Sequence, residues 1–241
     1  MILAIDAGNS RVKWGWHDGK AWSSIATVSL IEFAASSDHI NPFSATHSDP
    51  ARILISNVAG EGAHQLLVNW TSIFDAEPLW LKGEVEQCGV KNLYDNPGQL
   101  GPDRWAALIA ARALEPARAC LVVTAGTCTT VDLLTAKGEF TGGLILPGID
   151  LMRFVLHEHT GRLPLQEGRF VNTPRRTIDA IETGCRHAQA GAVERMFRAA
   201  GGDCACLVSG GGGQALIEHL DLPCRYVENL VLEGLARIGN S

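Results

Sequence analysis

The residues of this chain that can do phosphate chemistry stand in its first sixteen positions, MILAIDAGNSRVKWGW. An aliphatic run with the composition of a buried strand leads into a polar, glycine-bearing turn. Gly8 has no Cβ, so a phosphate group can approach the backbone there, and Asn9, Ser10 and Lys13 offer hydrogen bonds or positive charge. Asp6, at the end of the predicted strand, can hold Mg²⁺ directly or through water. The stretch predicts strand, phosphate-binding turn and strand, although a plain β-hairpin has the same local signals.

The same pattern returns in the second half of the chain, at CLVVTAGTCTTVDLLTAKGEFTGGLILPG from Cys120. Placing Asp6 over Thr124 (an offset of 124 − 6 = 118 residues) aligns the two Ala-Gly turns and the strands on either side of them. We therefore predict a duplicated α/β unit whose two glycine turns face each other across a nucleotide cleft. Chance recurrence of an Ala-Gly dipeptide is the alternative.

A third glycine segment follows the predicted strand at 206–209 and comprises Gly210, Gly211, Gly212 and Gly213. Bare backbone between a strand and a helix suits a flat ring, so this segment is a candidate adenine site. A flexible connector is the competing interpretation, although such linkers are usually longer and contain serine.

The elements between the two turns complete an α/β lobe. Residues 83–102 have Gly, Asn and Pro punctuation and little periodicity, which is typical of an ordered loop or a substrate lip. Asp103 is the predicted N-cap of the helix DRWAALIAARAL, since a carboxylate there satisfies free amides of the first turn.

Composition excludes several function classes. The 241 residues are 46% hydrophobic and 19% charged, which suits two small lobes with proper cores. A net charge of −6 without a long Lys/Arg cluster argues against nucleic acid as a partner. No apolar run has the length of a membrane span, so we expect a cytoplasmic protein without membrane contact. Seven scattered cysteines are typical of reduced thiols.

Several motifs in order resemble those of type III pantothenate kinases, which belong to the superfamily of acetate and sugar kinases, heat-shock chaperones and actin. The matching segments are DAGNSRVK at 6–13 and AGTCTT at 125–130, similar to the two phosphate motifs, with GPDR at 101–104 and GGLILPG at 142–148. The resemblance implies an α/β protein with two duplicated ribonuclease-H-like lobes, residues 1–116 and 117–241, and a nucleotide cleft between them.

The resemblance also implies a reaction, the ATP-dependent phosphorylation of pantothenate to 4'-phosphopantothenate, which begins coenzyme A synthesis. Asp103 would be the general base for the primary hydroxyl of pantothenate. The implied ATP and phosphate-binding residues are Asp6, Ala7, Gly8, Asn9, Ser10, Arg11, Val12, Lys13 and Thr127. The implied substrate-binding residues are Tyr94, Gly101, Pro102, Asp103, Arg104 and Thr177. A homodimer would complete the pantothenate pocket with residues of the neighbouring subunit.

One position departs from the family pattern. The family normally has Asp at the place of Thr124, where it is associated with a monovalent cation, K⁺ or NH₄⁺. A neutral hydroxyl binds such a cation more weakly, so the cation requirement is in question here. Two alternatives to the pantothenate kinase therefore stay open, namely a catalytically weakened relative acting as an accessory factor and a kinase for another small alcohol.

Overall fold

A computed structural model of the chain describes residues 1–36 and 49–241. The strands are β1 (Ile2–Ala7), β2 (Arg11–His17), β3 (Trp22–Ser29), β4 (Arg52–Asn57), β5 (Pro78–Trp80), β6 (Glu86–Gln87), β7 (Val90–Asn92), β8 (Cys120–Ala125), β9 (Cys128–Leu134), β10 (Glu139–Pro147), β11 (Ala205–Ser209) and β12 (Cys224–Tyr226). The helices are α1 (Leu30–Ser36), α2 (Glu61–Thr71), α3 (Pro102–Leu114), α4 (Ile149–Glu158), α5 (Thr177–Ala199), α6 (Gly213–Ile217) and α7 (Leu230–Gly239), and residues 97–99 form a short 3₁₀ turn.

The described residues divide into two compact units. Unit 1 comprises Met1–Leu114 and Asn229–Ser241, and unit 2 comprises Glu115–Glu228. Unit 1 therefore includes the last helix, α7, which the predicted division at residue 116 assigned to the second lobe. The apolar side of α7 is buried in unit 1, and a Cβ on its Gly234 would lie 1.9 Å from the carbonyl oxygen of Ala106 in α3. Glycine is required there because the two helix backbones approach so closely.

The sheet of unit 1 has the order β3-β2-β1-β4-β5. The pairs β1–β2 and β2–β3 are antiparallel, whereas β1–β4 and β4–β5 are parallel. Alternating apolar residues of the first strands build one core, in which Trp14 meets Trp70 edge to face with ring centroids 5.2 Å apart. The buried β1 is thus central in the sheet and ends at the first glycine turn.

Five strands of unit 2 repeat this arrangement in the order β10-β9-β8-β11-β12. The pairs β8–β9 and β9–β10 are antiparallel, and β8–β11 and β11–β12 are parallel. The equivalence of β1 with β8 and of β2 with β9 supports the duplication inferred from the two Ala-Gly turns. The second turn is one residue shorter, because Ala7 pairs with Val12 whereas Ala125 pairs with Thr129.

The segment predicted as an irregular loop contains the small hairpin β6–β7 and the 3₁₀ turn. Strands of two and three residues are too short to show a periodic pattern, which explains why the sequence did not reveal them. All seven cysteines lie in the described residues and are free thiols. Within those residues no helix combines the length and apolar character that crossing a membrane requires.

Candidate active site

The first glycine turn closes the hairpin between β1 and β2. The amide of Gly8 donates to the carbonyl of Arg11 at 2.9 Å, which fixes the turn, and Asn9, Ser10 and Arg11 are exposed at its tip. Ala7 and Val12, which we also predicted to bind phosphate, are fully buried, so the structure exposes neither residue to a ligand. The turn offers exposed polar groups on a rigid base.

Asp6 is the ionisable centre of this region. In the sheet it lies between Lys13 of β2 and Ser56 of β4. Its Oδ1 is buried and has no hydrogen-bond partner among the described residues. Burial, and next the negative charge of Asp103, raise the pKa of Asp6 to about 7, while Ser56 and the Lys13 ammonium act in the opposite direction. When Asp6 is ionised, its unpartnered oxygen and the nearby negative charge of Asp103 attract a cation.

Asp103 supplies the second carboxylate. Helix α3 begins at Pro102, so Gly101 takes the N-cap position and Asp103 lies inside the first turn; the prediction that Asp103 is the N-cap is wrong by two residues. Its Oδ1 accepts a hydrogen bond of 2.8 Å from the amide of Arg104, so the carboxylate still faces the positive end of the helix. Burial raises the pKa of Asp103, against the opposing effect of the Arg104 amide and charge.

The residue before this helix fixes the position of that carboxylate. A Cβ on Gly101 would lie 2.7 Å from Oδ1 of Asp103, closer than such atoms approach without displacement. The glycine at this position leaves the space that the Asp103 side chain occupies. Gly101 therefore supports Asp103, whether or not it also contacts a substrate.

The chemistry of the two carboxylates fits a divalent cation. The charge of Asp103 makes the surroundings of Asp6 more negative. Oδ1 of Asp6 has no hydrogen-bond donor among the described residues to offset this charge. Across residues 1–36 and 49–241 there is no group of three His, Cys, Asp or Glu side chains that could hold a metal. Such a site suits Mg²⁺, which commonly takes one or two carboxylates and completes its shell with water and phosphate.

Arg104 and Tyr94 form a second cluster next to Asp103. The Arg104 side chain is buried, and its Nη2 donates to the Tyr94 hydroxyl at 3.2 Å. Tyr94 is held in turn by Asn92, whose Oδ1 accepts from the Tyr94 amide and whose Nδ2 donates to the carbonyl of Pro97. We did not single out Asn92 from the sequence. Its role depends on burial in a loop whose own sequence has no periodicity.

Lys13 has a partner that the sequence did not indicate. Its Nζ donates to Oδ1 of Asn229 at 2.9 Å, across 216 positions of the chain. Asn229 directly precedes α7, and an Asn before an apolar helix is the only local signal that marked it. The ammonium of Lys13 is thus fixed within unit 1 near the charge of Asp6.

Thr124 is the residue of unit 2 that corresponds to Asp6, and its neighbours in the sheet are uncharged. Thr124 lies between Thr130 and the buried Ser209, in the positions that Lys13 and Ser56 take around Asp6. These three residues provide only hydroxyl groups, and Oγ1 of Thr130 is buried without a partner in the part of the chain described. This donor set binds K⁺ or NH₄⁺ more weakly than a set with a carboxylate, because none of the three residues carries a negative charge that balances the ion.

The second turn and the glycine run of unit 2 are in contact with each other. Thr127 is exposed at the turn, and its carbonyl accepts from the amide of Gly148 at 2.8 Å. Gly210 has φ +90°, and a Cβ on it would lie 2.2 Å from the carbonyl oxygen of Ala125. A Cβ on Gly211 would meet open space. Close packing thus accounts for Gly210 without reference to a ligand.

Thr177 lies at the start of α5 in unit 2, where Arg176 is the N-cap. It lines a cavity of about 610 Å³ that is formed mainly by apolar side chains of α4 and α5. The cavity residues are Pro147, Met152, Val155, Leu156, Leu163, Thr177, Ala180, Ile181, Gly184, Cys185 and Ala188. The buried Glu182 of α5 holds the two helices together, because it accepts from Arg153 of α4 at 2.8 Å; it also accepts from Arg186 of its own helix at 2.6 Å.

Comparison with solved structures shows which fold the chain has. A Campylobacter jejuni protein assigned to the Baf family of transcriptional activators superposes with a TM-score of 0.64, at 23% identity, over 98% of this chain and 96% of its own. A Sinorhizobium meliloti protein assigned as a 2-dehydro-3-deoxygalactonokinase gives 0.60, at 15% identity, over 99% and 97%. The chain therefore has the α/β fold of these proteins, the second of which is assigned as a sugar kinase, and the predicted fold class is confirmed.

Sequence comparison then identifies the family. The profile of the type III pantothenate kinases matches residues 2–199. A protein of Aromatoleum aromaticum named type III pantothenate kinase is 51% identical over 238 residues, which cover 98% of this chain and 96% of the relative. This chain belongs to the type III pantothenate kinase family, which confirms the resemblance drawn from its motifs.

Proposed function

We propose that this protein phosphorylates pantothenate with ATP to give 4'-phosphopantothenate, the first step of coenzyme A biosynthesis, in the cytoplasm. Membership of the type III pantothenate kinase family supports the reaction and its two substrates. The observation that carries the proposal is the buried Oδ1 of Asp6, which lies beside the phosphate turn of unit 1 without a hydrogen-bond partner among the described residues and is acted on by the charge of Asp103. Phosphoryl transfer needs a group that holds the cation, here Asp6, and a second group that accepts the proton, here Asp103.

Asp103 acts as the general base in this proposal. Its raised pKa makes the carboxylate a better proton acceptor than an exposed aspartate, although it stays a weak base toward an alcohol. It therefore orients the primary hydroxyl of pantothenate and takes the proton late, when the bond to phosphorus is largely formed. The hydrogen bond from the Arg104 amide keeps the carboxylate in place for this step.

Arg104 and Tyr94 bind the acceptor substrate. A buried guanidinium oriented by a tyrosine hydroxyl is suited to a carboxylate, and pantothenate carries one. Gly101 and Pro102 set the start of α3 on which both Asp103 and Arg104 stand. Thr177 as a further substrate contact stays a prediction from the family motif.

The turn at residues 6–13 binds the phosphates of ATP. The exposed tip offers Asn9, Ser10 and Arg11, and Lys13 adds a fixed positive charge. Mg²⁺ held by Asp6 would neutralise phosphate charge when it is bound. Contributions of Thr127 to phosphate binding and of Gly210, Gly211 and Gly212 to adenine binding stay predictions.

A homodimer is part of the proposal. The cavity between α4 and α5 supports it, because it is mainly apolar and the neighbouring Phe154 and Val155 are 48% and 43% exposed. A second copy of the chain would cover these side chains. Light scattering of the purified protein tests this, and a monomer at micromolar concentration would contradict it.

The reaction is tested by coupled ADP release with purified protein. We expect turnover with pantothenate and little with pantothenol, whose carboxylate is replaced by an alcohol that Arg104 does not attract. Asp103→Asn should largely abolish turnover while leaving folding and ATP binding intact, and Asp95→Asn, an exposed loop change, should not affect it. Equal turnover of Asp103→Asn and wild type would remove Asp103 from its role. Preference for another alcohol would identify a different acceptor.

A further inference from the structure

The contact between Lys13 and Asn229 is a long-range polar link that the proposed chemistry has not yet used. Lys13 is half-buried and stands directly opposite Asp6 in the β1–β2 register. Its ammonium lies 2.9 Å from Oδ1 of Asn229. An ammonium has three N–H donors, so one bond to Asn229 leaves two that can reach phosphate oxygens.

Asn229 occupies the N-cap position of α7 without capping it. An Asn at this position usually accepts from a free amide of the first helical turn. Here the side chain makes no such bond, and its oxygen accepts from Lys13 instead. The side chain thus gives up the usual stabilisation of its own helix in favour of a partner on the sheet.

Helix α7 is a rigid base for this contact. Glu233 accepts from Nε1 of Trp22 at 2.7 Å, and the carbonyl of Gly239 accepts from Arg52 at 2.7 Å. Most of the helix is buried in unit 1. Asn229 is therefore presented to Lys13 from an element fixed along its whole length.

We propose that Asn229 is a positioning residue that holds the Lys13 ammonium ready for the phosphates of ATP. A flexible lysine loses rotamer freedom when it binds phosphate, and a preformed anchor removes part of that cost before the nucleotide arrives. Asn229 is uncharged, so it orients Lys13 without neutralising it, whereas an aspartate would compete with phosphate for the same charge. This inference rests on the proposed phosphate-binding role of Lys13.

Asn229→Ser is the informative variant, because serine keeps the N-cap preference but is too short to reach Lys13. We expect affinity for a non-hydrolysable ATP analogue, measured by calorimetry, to fall about tenfold, as lost hydrogen bonds to charged groups typically do. The kcat/KM for ATP should fall in parallel, and the KM for pantothenate should stay within about twofold. The melting temperature of each variant confirms that it is folded.

A double-mutant cycle separates positioning from a general structural effect. In a Lys13→Met background, Asn229→Ser should cause no further loss of analogue affinity, since the two residues act through one contact. Glu233→Ala is the matched control, because it breaks another link between α7 and the sheet. It should lower the melting temperature but leave analogue affinity within about twofold.

The positioning role would be overturned if Asn229→Ser bound the ATP analogue as tightly as wild type. It would also be overturned if Asn229→Ser lost the same affinity in the wild-type and the Lys13→Met backgrounds. An unchanged affinity of Lys13→Met would overturn it as well. These binding measurements do not depend on turnover. Failure of wild type to release ADP with pantothenate would therefore reject the proposed reaction separately.

Discussion

Replacing the buried carboxylate of Asp6 should stabilise the protein without metal, and the gain should grow with pH. The folded-state pKa of Asp6 is raised from 3.8 to about 7. Between these values the folded state binds more protons than the unfolded state, so stability falls as pH rises. The stabilisation that protonated Asp6 contributes is complete below about pH 4, and it is lost as the pH rises through about 7. Asp6→Asn removes this dependence because it cannot ionise.

The size of the effect follows from the change in pKa. At about 1.4 kcal/mol for each pKa unit, ionised Asp6 destabilises the fold by about 4 kcal/mol at pH 8 and by less than about 2 kcal/mol at pH 5. Although Oδ1 of Asp6 is buried, the residue as a whole is only half-buried, so solvent and counter-ions reduce both figures. We therefore expect the advantage of Asp6→Asn over wild type to be about 2 kcal/mol larger at pH 8 than at pH 5.

Urea unfolding in the presence of EDTA at both pH values measures this advantage. Asp103→Asn should act in the same direction but more weakly, because it removes the second cause of the raised pKa and leaves burial in place. Asp95→Asn is the exposed control. Adding Mg²⁺ at pH 8 should stabilise wild type and not Asp6→Asn. An equal effect of Asp6→Asn at pH 5 and pH 8 would refute the burial argument.

Three further outcomes follow from the structure. Gly101→Ala should lower kcat about tenfold in the ADP-release assay, since its Cβ would displace the Asp103 carboxylate. Wild-type turnover should differ by less than about twofold between KCl and NaCl, because hydroxyls surround Thr124, and Thr124→Asp should introduce stimulation by K⁺ in the same assay. Gly210→Ala should destabilise the fold by about 2 kcal/mol or more in urea unfolding, because of its positive φ and its contact with β8, whereas Gly211→Ala should have little effect.

Each of these has a control and a contradicting result. Gly62→Ala in α2 is the control for Gly101→Ala, because a Cβ at Gly62 meets open space and should leave kcat unchanged. A wild-type kcat for Gly101→Ala would show that the crowding at Asp103 does not affect catalysis. Strong K⁺ stimulation of wild type would mean that hydroxyl groups suffice for the cation. Equal stability of Gly210→Ala and Gly211→Ala would contradict the packing explanation of the glycine run.

The local structure around both turns was predictable because it depends on neighbours in sequence. Strand composition, turn formers and the Ala-Gly repeat located β1, β2, β8 and β9 and suggested the duplication that the common strand order supports. The GPDR motif located the start of α3 to within two residues. The ordered motifs were also sufficient to identify the family. Backbone preferences and motif spacing act over a few residues, so the sequence carries them directly.

Packing decided the rest, because it brings together residues that are far apart in the chain. The return of α7 places residues from the end of the chain in unit 1, and the bond from Lys13 to Asn229 joins positions 216 residues apart. The raised pKa of Asp6 depends on burial and on a carboxylate from another element. Likewise, the glycine at 210 is explained by contact with β8 and not by its neighbours in sequence. The sequence alone indicated which residues could carry the proposed chemistry, whereas the burial, the raised pKa values and the hydrogen-bond partners of these residues depend on the tertiary structure.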